Sequence, residues 1–208
     1  MHRRFFIQSL SWSLGTTFGS SMLTACEKPR PVFHGIDLTG SKYGADFRLH
    51  GSDGREHALS DFKGQYILLF FGFTQCPDVC PTILTRAVNT RQLLGKDANK
   101  VKVLFVTIDP ERDTPALLSS YMQAFDPDFL GLSGSADQTA QVAKDFKIFY
   151  QKVPSGNSYT IDHTAITYVF DTAGQLRLAW KHAQEAEQCA EDIHSLIRAE
   201  AQTKFHLF

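Results

Sequence analysis

Residues 66–73, YILLFFGF, and residues 101–109, VKVLFVTID, constrain the fold of this chain more than any other feature. Each is too short for a buried helix and too apolar for a strand with one wet face. Both are therefore expected as strands in the interior of a sheet covered on both sides. Between them, the stretch that follows Pro81 reads as a helix to about Gly95. Thr114 followed by Pro115 gives the next helix its start, because proline lacks the N–H that the first helical turn leaves unpaired anyway. That helix is expected to reach about Phe125, and a third to span about 136–147.

The remaining pieces decide the fold class. DFRLH and REHAL flank the turn GSDG as an N-terminal β-hairpin, and residues 60–64 make a tight connection into the first apolar run. After the third helix come a short strand and a loop, KVPSGNSYT. ITYVFD and LRLAWK then flank the Ala173–Gly174 turn as a second hairpin, and residues 185–200 form a last helix. This order predicts an α/β protein with a mixed central sheet flanked by helices, the order of a thioredoxin-like fold.

The first 25 residues are set apart from that domain. Their only charges are Arg3 and Arg4, and an uncharged stretch with small residues follows. This is the order of a targeting segment, and its Ser, Gly and Thr content makes it a poor permanent membrane span. Leu23, Thr24, Ala25 and Cys26 resemble a bacterial lipobox, whose cysteine receives a lipid, and Arg3 to Ile7 resemble a twin-arginine signal. The expected organisation is a lipoprotein-type signal peptide over 1–25, a lipidated tether from Cys26 over 26–45, and the folded domain over 46–203. The expected location is exported and lipid-anchored, on the periplasmic or other extracytoplasmic face of the membrane. Without its first 25 residues the chain carries 19 basic against 22 acidic residues, a formal charge of −3. That balance gives no basic surface for nucleic acid.

Two of the four cysteines, Cys76 and Cys80, stand four apart in FFGFTQCPDVCP, where the first apolar strand gives way to a helix. The crevice beyond the carboxyl ends of strands is where sites collect in α/β sheets, and a helix N-terminus favours a thiolate. Such a pair can close a disulfide or hold a soft ion. Zinc usually takes four ligands and an iron–sulfur cluster four cysteines, whereas Cys26 is assigned to the lipid and Cys189 is remote in sequence. His163, between a polar loop and ITYVFD, can project into the same crevice, although a lone histidine is more often structural.

FFGFTQCPDVCP, VTIDPERDTP and IDHTAITYVFD, in this order and spacing, resemble the Sco/SenC family of copper chaperones for cytochrome c oxidase assembly. The resemblance runs from about Phe47 to the last helix. It implies that Cys76, Cys80 and His163 bind copper, as Cu(I), Cu(II) or both, with the two cysteines also able to form a disulfide. It further implies delivery to the dinuclear CuA site of oxidase subunit II or to another copper-receiving protein, with a thiol reductant as second partner. Gln75 departs from the commoner family pattern, which often has a histidine before the first cysteine. Asp162 is a candidate to orient His163 from outside the ligand set.

A thiol:disulfide oxidoreductase that reduces the cysteines of a copper-receiving partner is the alternative, since an attacking and a resolving thiol are both present. A peroxiredoxin-type peroxidase is disfavoured, because Leu69 and Phe73 stand where that signature needs proline and threonine. Cys189 shares a helical face with Ile193, Leu196 and Ile197 and reads as a core thiol. His50 and His57 flank the GSDG turn and read as surface residues. Asp109 to Asp113 read either as a turn with an Arg–carboxylate pair or as a rim for a docking partner.

Overall fold

The computed structural model describes residues 31–205. Ten strands run in chain order: β1 (Ile36–Asp37), β2 (Arg48–Gly51), β3 (Glu56–Ala58), β4 (Tyr66–Gly72), β5 (Val101–Thr107), β6 (Leu130–Ser133), β7 (Tyr150–Ser155), β8 (Ser158–His163), β9 (Ile166–Phe170) and β10 (Leu176–Lys181). Four α-helices, α1 (Val79–Leu94), α2 (Pro115–Gln123), α3 (Ala136–Asp145) and α4 (Ala186–Phe205), connect or flank them. Eight strands form one sheet in the order β1-β10-β9-β4-β5-β6-β2-β3. Only the β4–β5 and β5–β6 pairs are parallel, because only these are joined through helices, α1 and α2. The other neighbours run antiparallel.

Every residue of β4 is buried, as its unbroken apolar run requires. Alternation sends Leu68, Phe70 and Gly72 to one face and Ile67, Leu69 and Phe71 to the other. On the first face Phe70 meets Phe105, which in turn meets Tyr121 of α2. On the second, Phe146, just beyond α3, gathers Phe47, Phe71, Tyr168 and Phe170 with ring centroids 5.3–6.2 Å away. The expected mixed sheet, covered on both faces and carrying the β2–β3 hairpin, is what forms.

Three segments differ from expectation. Leu130–Ser133 is a strand although its sequence LGLS carries little strand preference; pairing with β5 and β2 imposes it. Residues 152–160 are not a loop: β7 and β8 pair from Tyr150↔His163 to Ser155↔Ser158 around Gly156, which takes a positive φ of 58°. This ribbon forms a sheet of its own, apart from the eight strands. Part of the stretch expected as tether is folded onto the domain. Ile36 and Asp37 pair with Ala179 and Leu178, and the buried Asp192 accepts the backbone N–H groups of His34 and Gly35 at 2.7 and 2.9 Å. The same carboxylate accepts the Trp180 indole N–H at 2.8 Å. A run without periodicity becomes ordered here because a buried acceptor on α4 needs donors. Residues 1–25 and Cys26 lie outside the described residues.

Candidate metal centre

The turn that carries the cysteines is fixed before either sulfur is considered. β4 ends at Gly72, where a Cβ would stand 2.8 Å from Cys80 Sγ, so only glycine leaves room for that sulfur. The next turn is pinned by Asp113, only 1% exposed. Its carboxylate accepts the Thr74 N–H at 3.1 Å and the hydroxyls of Thr74 and Thr107, both at 2.6 Å. Cys76 is half-buried above this turn and Cys80 is fully buried in the first turn of α1.

The start of α1 has no side-chain cap from Asp78; instead Cys76 Sγ accepts the Cys80 backbone N–H at 3.4 Å. A sulfur thus takes one of the donors that every helix start leaves free. The Cys76 thiol is pulled down to about 3, first by the hydrogen bond from the Cys80 thiol and further by His163 and the Asp78 and Cys80 backbone donors, against the cost of burial. The same hydrogen bond, with burial, pushes Cys80 the other way, above its ordinary value. The two sulfurs are thus unequal, with negative charge favoured on Cys76 and the proton on Cys80. Both thiols are free in this structure.

His163, the last residue of β8, closes the group. Its Nε2 lies 3.7 Å from Cys80 Sγ, and the three donor atoms all fall within 4.8 Å of one another. Its Nδ1 donates to the Thr164 carbonyl at 3.1 Å, which turns Nε2 toward the sulfurs. The imidazole rests against Phe70 and Phe73, with centroids 6.1 and 5.9 Å away. Thiolate and imidazole bonds of roughly 2.0–2.3 Å around one ion set donors roughly 3.5–4 Å apart. A small contraction of the group reaches that spacing, and two sulfurs with one imidazole suit a soft monovalent ion.

The other sequence candidates separate clearly. Asp162 points to solvent, and the hydrogen bond that orients His163 goes to a backbone carbonyl instead, because neighbours on a strand face opposite ways. Cys189 is buried on α4 among core residues, its thiol pushed up to about 12 by burial. His57 pairs with Asp53 at 3.0 Å and stacks on Phe62. His50 stands opposite Glu56 rather than His57. Residues 109–113 form the turn with the Arg112–Asp109 ion pair. Gln75 turns its side-chain oxygen to Arg112 Nη1 at 3.2 Å. The anchoring roles of Asp113 and Arg112 were not legible in the sequence, since their partners Thr74, Gln75 and Tyr159 lie 37–47 residues away.

A family model described as SCO1/SenC matches residues 37–198. A mitochondrial SCO2 homologue of Bos taurus is 39% identical over 158 residues, 74% of this chain and 59% of that protein, so the match leaves part of the bovine protein uncovered. An SCO2-like protein of Rickettsia felis is 36% identical over 170 residues, 80% of this chain and 83% of its own length. Among solved structures, Bradyrhizobium japonicum ScoI with copper bound is 39% identical, with a TM-score of 0.68 over 75% of this chain and 98% of that one.

Proposed function

We propose, from the premise that this chain belongs to the SCO1/SenC family, that it is a copper metallochaperone whose cargo ion is held by Cys76, Cys80 and His163. The thioredoxin-like architecture and the copper-bound Bradyrhizobium relative are consistent with this reading. The observation that carries it is the convergence of two sulfurs and one imidazole nitrogen within 4.8 Å. The recipient is the CuA site of cytochrome c oxidase subunit II, reached by ligand exchange. Cys76 and His163 are partly exposed and Cys80 is buried, so an incoming thiolate meets the outer two donors first and Cys80 lets go last. Thiol:disulfide exchange is the weaker reading, because it has no use for an imidazole aimed at the buried sulfur.

Replacing His163 by Ala tests the assignment. Losing a direct ligand is expected to weaken Cu(I) binding by more than the roughly 10- to 100-fold typical of a neighbour of a ligand, as read by chelator competition. Transfer to an apo subunit II domain should fail in parallel. Unchanged affinity would remove His163 from the site.

Among the described residues no helix is long and apolar enough to cross a membrane. The tether reading therefore rests on Cys26 and the segment before it: the domain works at an extracytoplasmic membrane face, held by a lipid on Cys26, where tethering raises its effective concentration near a membrane-embedded oxidase. Cys26→Ser is expected to release the chain into the soluble fraction. Retention in membranes, with an unmodified Cys26 in the wild type, would refute the anchor.

A further inference from the structure

The strand that carries His163 belongs to a two-stranded ribbon outside the main sheet. An isolated ribbon of this size is marginal in water, so its seating depends on what it touches. At its base, Thr164 N–H donates to the Phe149 carbonyl at 2.9 Å and Phe149 N–H to the Thr164 hydroxyl at 3.1 Å. Along its length only Ile161 is fully buried. Near its tip the ribbon is gripped by one residue of the 109–113 turn, Arg112.

Arg112 meets three segments at once. Its Nε donates to Asp109, whose side chain is fully buried. Its Nη1 donates to the Tyr159 carbonyl at 2.8 Å and reaches Ser158 Oγ at 3.4 Å, both on β8. The same Nη1 donates to Gln75 Oε1, next to Cys76. The guanidinium lies over the Tyr159 ring with Cζ 3.7 Å from its centroid, and the Tyr159 hydroxyl returns to Asp109 at 2.8 Å. Lys152, paired with Glu111 at 2.7 Å, approaches the same ring at 4.6 Å.

Exposed ion pairs are worth little, but here the arginine side chain is only 16% exposed and its guanidinium lies over the Tyr159 ring. Tyr159 stands four residues from His163, roughly 13 Å along the strand at about 3.3 Å per residue. Tilting the ribbon at that distance swings the imidazole relative to the sulfurs. The Gln75 contact fixes the cysteine turn in the same frame.

We propose that Arg112 is a positioning residue for the metal centre: by joining Gln75 of the cysteine turn to Tyr159 of the β7–β8 ribbon, it holds His163 in register with Cys76 and Cys80 before copper arrives. The inference rests on the copper reading given above. A ligand set that is competent only part of the time binds with an affinity reduced by that fraction.

Arg112→Lys in the full chain is the informative variant. It keeps a cation beside the buried Asp109 and loses the fork and the stacked plane. Tyr159→Leu removes the other half of the contact and serves as the second variant. Each is expected to weaken Cu(I) binding about tenfold in chelator competition, at the lower end of the range for residues behind a ligand. In the copper-free protein, amide exchange of β7 and β8 should quicken while that of β4 and β5 stays unchanged. In a His163→Ala background neither variant should cost further affinity, because the ligand it positions is gone. An equal loss in that background, or unchanged affinity and ribbon exchange in both variants, would overturn the role. Wild-type chain that fails to bind Cu(I) would instead refute the copper reading itself.

Discussion

Closing a disulfide between Cys76 and Cys80 is expected to abolish Cu(I) binding, and a thiol reductant to restore it. Both sulfurs lie in the donor group within 4.8 Å, and Cys76 Sγ already accepts the Cys80 backbone N–H. A two-electron oxidant that joins them needs only local movement of the first helical turn. Thiolate is both the exchange nucleophile and the soft ligand, so oxidation removes two of three donors and leaves a lone imidazole. The loss should exceed roughly a thousandfold, about 4 kcal/mol. Chelator competition before and after oxidation, with thiol counting, measures it. Cys189 does not confuse the count, because its buried thiol is held at about 12. Equal affinity in the two states would mean that copper sits elsewhere on the chain.

Acid is expected to weaken copper binding steeply, about tenfold for each pH unit between pH 8 and pH 5. The direction follows from the unequal sulfurs. Cys76, held down near 3, is already a thiolate throughout this window, whereas Cys80, pushed above its ordinary value, still carries its proton. Seating one ion on both sulfurs must expel the Cys80 proton, and one proton released per ion gives a slope of one, about 1.4 kcal/mol per unit. Towards pH 3 the Cys76 thiolate begins to take up a proton as well, and the slope should steepen. Calorimetry in buffers of different ionisation enthalpy counts the released proton. Affinity independent of pH over this range would show that Cys80 is not a thiolate ligand.

What could be read from the chain alone follows the range of the interactions involved. YILLFFGF and VKVLFVTID announce two interior strands because they are predominantly apolar without alternation, and Thr114–Pro115 announces a helix start because both residues act within one turn. The cysteine pair at a strand-to-helix junction was legible for the same reason, and His163 became legible once three motifs were read together. The sequence does not show that LGLS must pair with β5 and β2, that 152–160 folds into a ribbon, or that Asp192 gathers His34, Gly35 and Trp180. Each depends on partners brought close by the rest of the fold. Asp162 stands beside His163 in the chain and faces away from it, since strand alternation sends neighbours to opposite sides. Arg112 stands 36 residues from Cys76 in the chain and grips the turn that holds it. The chain determined by itself which donor atoms the protein has and which elements present them. Tertiary structure decided how those donors are aimed and which sulfur carries the proton, because hydrogen bonding, burial and stacking act through space between segments that sequence keeps apart.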